Sequence, residues 1–514
     1  MDRTPPSILA AFMEHARADP QRECVRWDNQ ALSYGALVGL ARGWAARYAD
    51  LGLQRGDRVG LFLPGSVAFL GAYLGAQAQG GAVVLINTQY RQQELRHILS
   101  DSAPRVVVTD AEGAALLRQV LDGEAGAPAL VLVPEGALLP ADATPEAEQS
   151  VTLPVLPAPT DLAVLAYTSG TTGRSRGAML THGCLAANSA AVTAAWRWTQ
   201  ADRLLLTLPL FHIHGLGVGV HGTLFSGASL TLWPRFEPEA ALRALASGAH
   251  TMFFGVPTMY TRLIAAARAA PELARQAGQH LRLFVSGSAP LDPQTFAAFE
   301  ELFGQRILER YGMTETGMNM TNPYDGERRP GAVGMPFPGQ EARVVDVQTR
   351  QPLPDGAIGE IQVRGPHVCA GYWRNPEATA AVFHPDGWFS TGDLGWRSAD
   401  GYYTLTGRAK ELIISGGYNI YPREVEETLL AHPAVAECAV FGLPDAEFGE
   451  RVAAVIVPRD PAAPPTAEEL EAFCRERLAA YKRPRAVHIV ASLPRNAMGK
   501  VQKHVLRAQL MPPA

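Results

Sequence analysis

Lysine is scarce in this chain of 514 residues: only four stand among its 45 basic side chains, Lys410, Lys482, Lys500 and Lys503, all in the last quarter. Arginine serves elsewhere, so each lysine is a candidate for work that suits a compact, titratable ammonium rather than a planar guanidinium. Cysteine is sparse as well. Cys24, Cys184, Cys369, Cys438 and Cys474 are scattered without C-x-x-C spacing, which excludes a cysteine zinc site or disulfide framework and implies free thiols in a reducing compartment. No apolar run reaches the 18 residues of a membrane span. The N-terminus, with Asp2, Arg3, Pro5 and Pro6, lacks a signal-peptide core, so we expect a cytoplasmic protein. There is no positive excess either: a net charge of −5 points away from nucleic acid and other polyanions. Apolar residues at 47% and charged residues at 18% suit a soluble globular chain long enough for more than one domain.

The richest stretch is Tyr167-Thr-Ser-Gly-Thr-Thr-Gly-Arg-Ser-Arg-Gly177. The apolar run 162–166 before it reads as a buried strand. Gly170, Gly173 and Gly177 let backbone approach a bulky anion, while Thr168, Ser169, Thr171 and Thr172 offer hydroxyls and Arg174 and Arg176 add charge. The Walker A spacing is absent. A flexible Gly/Ser/Thr surface loop is the bland alternative.

Around it, apolar runs and helical patterns alternate. Strands are expected within 56–63, 81–86, 105–109 and 202–207, and at the start of 251–262 and of 281–290, with helices over 67–80 and 92–100. That alternation implies parallel α/β sheets covered on both faces. Gly217, Gly219 and Gly222 match G-x-G-x-x-G by letter, but no strand feeds them and no acidic residue follows at the required distance. We read them as helix-packing glycines, and His214 and His221 as packing histidines. From 413 onward the pattern becomes a hairpin, helices and short strands, a compact α+β domain of ordinary size.

The segment 167–177 resembles the phosphate loop of the adenylate-forming superfamily of acyl-CoA synthetases, adenylation domains and luciferases; the usual Pro-Lys-Gly ending is here Ser175-Arg176-Gly177. Three further motifs follow in family order: Glu309-Arg310-Tyr311-Gly312-Met313-Thr314-Glu315, Ser390-Thr-Gly-Asp393-Leu394 with Gly407-Arg408, and Leu493-Pro-Arg-Asn-Ala-Met-Gly-Lys500. The resemblance implies a large N-terminal domain, 1–409, of parallel α/β sheets plus a β-subdomain, and a small mobile C-terminal domain, 410–514. It implies that Thr168, Ser169, Gly170, Thr171, Thr172, Gly173 and Arg176 hold ATP phosphates. Ser288, Ala289, Pro290 and Glu309 to Thr314 would surround the nucleotide, with Tyr311 against adenine. Glu315 would bind Mg²⁺, Asp393 and Arg408 the ribose, and Lys500, Thr314 and Glu315 would be catalytic. Lys410 falls at the hinge, and Gly416 and Gly417 beside the path of coenzyme A.

Over its length the chain is most similar to malonyl-CoA synthetases, carried by 208–215, 255–262, 286–290, 313–320 and 322–326. The resemblance implies a small carboxylic acid, malonate or methylmalonate, joined to CoA through an acyl-adenylate with release of AMP and pyrophosphate. A dicarboxylate needs a buried cation; Arg282 is the first choice, then Arg235 and Arg262, with His212 as a neighbouring donor. A fatty or aryl acid, a carrier-protein acceptor, a luciferase-like oxygenase and a non-catalytic nucleotide binder are the alternatives. The sequence sets no oligomeric state.

Overall fold

The computed structural model describes residues 5–28, 30–124, 126–138, 156–168, 175–415, 418–445, 447–496 and 499–511. The chain divides into two compact units, Met1–Glu341 with Val363–Phe389, and Ala342–Gln362 with Ser390–Ala514. The expected boundary after residue 409 falls inside the second unit.

The first unit holds two sheets. One has six strands in the order Ala129–Leu132, Val106–Thr109, Arg58–Phe62, Ala82–Leu85, Leu162–Thr168, Arg176–Thr181. All neighbours are parallel except the last pair, an antiparallel hairpin that brackets the phosphate loop. The other has nine strands, Met335–Pro336, Gly317–Thr321, Leu308–Met313, Leu283–Ser286, Met252–Gly255, Arg203–Leu206, Ser229–Leu232, Glu23–Trp27 and Gln30–Ser33. Its six central strands run parallel, with antiparallel partners at both edges. The strands Ala82–Leu85, Met252–Gly255 and Leu283–Ser286 are buried at every position, so they read as continuous apolar runs. Phe253 and Phe284 pack under the helices Pro257–Ala269 and Pro293–Phe303 in a core that includes Tyr260, Phe299 and Phe303.

These elements begin where the sequence supplies caps. Thr181 closes its strand and accepts the Cys184 N–H through Oγ1 at 3.2 Å, starting the helix His182–Ala195. Proline at the first turn starts the helices at 257, 271, 293 and 376. One element has no counterpart in the sequence pattern: His214–Val220 is a π-helix running into the α-helix His221–Ser226. The packing role expected of its glycines holds, since a Cβ on Gly219 would stand 2.7 Å from the Leu206 side chain.

The second unit holds a four-stranded sheet, Glu341–Val345, Gly359–Arg364, Phe389–Arg397, Tyr403–Arg408, and a five-stranded sheet. In the latter, Val435–Asp445, past a register shift between Val435 and Glu437, and Gly449–Pro458 alternate between two faces. Val440, Val452, Ala454 and Ile456 face one core with Val425 and Leu470. Ala439, Phe441, Leu443, Ala453 and Val455 face another with Leu493 and Leu506. Leu493 and Leu506 thus anchor both sides of the segment that carries Lys500. A helix, Ala467–Arg475, follows these strands. No described helix is long and apolar enough to cross a membrane.

Candidate active site

The phosphate-loop hairpin pairs Thr168 with Arg176 and Tyr167 with Gly177. Its base is tied to the helix Gln92–Ser102: the Tyr167 hydroxyl donates to Asp101 Oδ2 at 2.6 Å, and His97 Nε2 bonds the Ser175 carbonyl at 2.8 Å. Ser169, Gly170, Thr171, Thr172 and Gly173 lie outside the described residues, as do Gly416 and Gly417.

Glu315 does not cap a helix. Residues 314–316 form the turn between the antiparallel strands Leu308–Met313 and Gly317–Thr321. There the buried Glu315 carboxylate accepts the Tyr372 hydroxyl at 2.9 Å and the Thr168 hydroxyl at 3.4 Å, both on Oε1. Arg176 lies over the Tyr372 ring, 5.7 Å from its centroid. The motif therefore meets the exit of the phosphate strand. The oxygen donors gathered here, a carboxylate and a threonine hydroxyl, suit Mg²⁺, a hard cation that commonly takes one or two carboxylates and completes its shell with phosphates and water.

The nine-stranded sheet places a second set of residues at the carboxyl ends of its parallel strands, where ligands of such sheets sit. Val285 pairs with Leu308 and Ser286 with Glu309, which brings Arg310 level with Gly287. A Cβ on Gly287 would stand 2.5 Å from the Arg310 guanidinium, so glycine there makes room for the cation. Ser288 adopts φ +71°, a costly conformation for a non-glycine residue. Glu309 braces the loop, accepting the Leu291 N–H on Oε1 at 3.1 Å. Ala289 and Pro290 complete the loop, Pro290 exposed. Tyr311 is buried and its hydroxyl reaches Met313 Sδ at 3.9 Å; Gly312 and Thr314 lie beside it, half-buried.

Arg310 is 3% exposed, and its Nε and Nη2 have no hydrogen-bond partner among the described residues. Burial pushes its pKa down to about 9, so the guanidinium is still charged at neutral pH. Two histidines share this region. Burial, then the Arg310 charge, lowers His212 to about 4. Burial, then Arg310 and His212, hold His214 well below the usual imidazole range. His212 Nδ1 accepts the His214 backbone N–H at 3.1 Å, which places its proton on Nε2. His214 Nδ1 contacts Ser288 Oγ at 3.1 Å, and its Nε2 is buried without a partner among the described residues. The result is a buried cation flanked by neutral N–H groups, a receptor for an anion. His214 thus touches the 288–290 loop in addition to packing in the core. The signal for it lay in the irregular Pro-Leu-Phe-His-Ile-His-Gly run before a glycine-rich helix.

The arginines expected to bind a distal carboxylate stand elsewhere. Arg282 precedes the strand Leu283–Ser286, at the amino end of the sheet, while Ser288 lies past its carboxyl end. Six extended residues at about 3.3 Å each separate the two by roughly 20 Å. Arg282 is committed there: Nε and Nη2 bond the two Asp202 oxygens at 2.7 and 2.8 Å, and Nη1 bonds the Trp196 carbonyl at 2.9 Å. Burial alone would raise the Asp202 carboxyl, but Arg282, with hydrogen bonds from the Thr199 N–H and the Thr251 hydroxyl, holds it below the usual range. Arg235 is exposed and paired with Glu237 at 3.2 Å, and Arg262 is exposed with its guanidinium over the Phe236 ring.

In the second unit, Asp393 and Arg408 face each other across adjacent strands and form an ion pair at 2.7 Å, with Arg408 also bonding the Thr391 carbonyl at 3.2 Å. The four lysines sort into two kinds. Lys482 binds both oxygens of Glu424 at 2.6 and 2.8 Å, and Lys503 binds Glu426 at 2.6 Å and Glu411 at 3.6 Å. Lys410 and Lys500 have no such pair among the described residues. Desolvation, then Arg408, lowers the pKa of each, against the opposing pull of Asp393 and Glu411. An ammonium loosened in this way beside the Asp393 carboxylate is chemically poised, whereas Lys482 and Lys503 are held in ion pairs.

Comparison with known proteins completes this picture. The AMP-binding enzyme family model matches residues 12–373, and the AMP-binding enzyme C-terminal domain matches residues 424–500. The chain is 41% identical over 478 residues to a sulfoacetate–CoA ligase of Cupriavidus necator, covering 92% of this chain and 91% of that protein. It is 34% identical over 549 residues to a malonate–CoA ligase of Arabidopsis thaliana, covering 98% and 88%. Its fold matches the crystal structure of ATP-bound MatB from Rhodopseudomonas palustris with a TM-score of 0.90 at 41% identity, over 97% and 98% of the two chains. The chain belongs to the AMP-binding, adenylate-forming enzyme family and is an AMP-forming acid–CoA ligase.

Proposed function

We propose that this ligase acts on a short acid bearing a second anionic group, with malonate, and methylmalonate beside it, as the substrate. The observation that carries the reading is the buried Arg310 guanidinium with two unpartnered nitrogens, flanked by His212 and His214. An apolar acyl chain there would leave a desolvated cation unpaired, a cost of several kcal/mol, whereas a distal carboxylate would pair it. Sulfoacetate is the second reading, since a sulfonate offers the same charge and the relative from Cupriavidus necator is named for it. Fatty and aryl acids fit this surround poorly.

The acid, ATP and CoA are the substrates. In the first half-reaction a carboxylate oxygen attacks the α-phosphorus, the bond to the bridging oxygen breaks, and acyl-AMP and pyrophosphate form. Two anions must meet, so the residues cancel charge and align. We assign Lys500 to bridge the carboxylate and the α-phosphate, the 168–173 loop with Arg176 to hold the outer phosphates, and Tyr311 with the 288–290 loop to flank adenine. Asp393 takes the ribose hydroxyls, and Arg408 supports it. Glu315 would hold Mg²⁺, which would supply positive charge to the phosphates. In the second half-reaction the CoA thiol sulfur forms the thioester bond, losing its proton, and AMP leaves. Lys410 is assigned as the hinge residue, and Gly416 and Gly417 as the lining of the thiol's path.

The test is pyrophosphate release with MgATP and CoA across malonate, methylmalonate, sulfoacetate, acetate, octanoate and 4-coumarate, with each thioester confirmed by mass. We expect malonate to exceed acetate and octanoate by at least tenfold in kcat/KM. Preference for octanoate or 4-coumarate would overturn the anionic subsite, and preference for sulfoacetate would replace malonate while keeping it.

A further inference from the structure

One segment holds together the parts of the phosphate site that come from distant stretches of chain. Residues 369–373 lie along the strand Arg176–Thr181: the Met179 N–H donates to the Gly371 carbonyl at 2.9 Å, the Ala370 N–H to Met179 at 2.9 Å, and the Trp373 N–H to Gly177 at 2.8 Å. At its start the Cys369 N–H donates to the Glu315 carbonyl at 2.8 Å. At its end Trp373 Nε1 donates to the Asp101 carbonyl at 3.1 Å, on the helix that also receives Tyr167. Tyr372 sits in the middle, 7% exposed, its backbone N–H bonded to Thr379 Oγ1 at 2.9 Å. Its hydroxyl therefore has little freedom, and it points at Glu315 Oε1.

We propose that Tyr372 is a positioning residue for the metal carboxylate: its O–H fixes the rotamer of Glu315 and so sets where the divalent cation on the ATP phosphates is held. The inference rests on the assignment of Glu315 to that cation. A phenol suits the task better than a basic side chain. An Arg or Lys at 2.9 Å would orient the carboxylate but cancel its charge and compete with the cation, whereas a neutral donor orients it and leaves the charge in place. Burial, then the Glu315 charge, pushes the Tyr372 phenol pKa upward, so it stays a donor throughout the working range. The face of the same ring carries the Arg176 guanidinium. One side chain thus spaces the phosphate cation from the metal carboxylate and keeps the two from collapsing into an ion pair.

Tyr372→Phe keeps the ring under Arg176 and removes only the hydroxyl. Partners that orient a metal ligand typically contribute about 10- to 100-fold in metal affinity. We expect the Mg²⁺ concentration for half-maximal pyrophosphate release to rise about tenfold or more and excess Mg²⁺ to restore the rate, with KM for the acid unchanged. Direct titration with Mn²⁺ and ATP, followed by the paramagnetic resonance of free Mn²⁺, should show the same loss without turnover. If the Mn²⁺ curve of a folded Tyr372→Phe protein superposes on that of the parent, or only its melting temperature moves, the positioning role is wrong. Glu315→Gln separates the two levels. If it too leaves Mn²⁺ binding unchanged, Glu315 is not the metal ligand; if it weakens binding while Tyr372→Phe does not, only Tyr372 is misassigned.

Discussion

Replacing Arg310 by Met should damage substrate recognition and stabilise the protein at once. The guanidinium is buried and its pKa is pushed down to about 9, well below the usual arginine range. At neutral pH the fold therefore carries a charged group it disfavours, at an order-of-magnitude cost of about 5 kcal/mol without substrate. Methionine fills similar volume without that cost, so the melting temperature should rise. With malonate, losing the partner of a desolvated carboxylate costs about 3–5 kcal/mol, a fall in kcat/KM of about 10²- to 10³-fold, while propionate or butyrate should improve. Arg282→Met is the counter-test. Asp202 has a 3% exposed side chain and would lose its bidentate partner, so stability should drop by about 3–5 kcal/mol while KM for malonate stays put. Thermal melts and kinetics on both variants settle it. A stabilised Arg282→Met with raised KM, or a destabilised Arg310→Met with normal malonate kinetics, would refute the argument.

Two more outcomes are expected. Lys500→Ala should slow acyl-adenylate formation by about 10²- to 10³-fold yet spare thioester formation from preformed acyl-AMP; equal loss in both half-reactions would refute a role confined to the first. The fold should also be acid-labile. Burial holds His182 and His367 near 4, His221 near 3 and His214 well below the usual 6.5, so each stays neutral when folded but protonates when unfolded. Their contribution is complete above pH 6.5 and is lost as the pH falls below it, at roughly 5 kcal/mol per pH unit for the four together. A melting temperature that stays flat from pH 7 to 5 would refute this.

The architecture was legible because buried parallel strands write themselves as apolar runs between helical patterns, as at 81–86 and 281–286. The motifs marked which loops matter. What the sequence did not reveal is which end of a short strand a residue occupies in space. Arg282 and Ser288 are six positions apart and both adjoin the strand Leu283–Ser286, yet one serves Asp202 at the amino edge and the other faces the site. Arg310 was hidden inside a nucleotide motif because its neighbours Glu309 and Tyr311 drew attention to ATP. In an extended strand, however, successive residues point oppositely, so Arg310 shares a face with buried Leu308 and not with Glu309 and Tyr311, and a charge on that face is the signal that was available. Tyr372 lacked any such signal, since its partner Glu315 lies 57 positions away and only the folded chain brings them together.

The sorting of the lysines has a practical consequence. Amine-directed reagents can label side chains only in the second unit, and there Lys482 and Lys503 are shielded by their carboxylates while Lys410 and Lys500 carry the depressed pKa values that favour the reactive free amine. A single acylating or crosslinking probe would therefore report on Lys410 and Lys500 above all others. A lysine-specific protease would leave residues 1–410 as one uncut fragment under denaturing conditions. The chain's preference for arginine makes it chemically addressable at the two ammonium groups that have no carboxylate pair among the described residues.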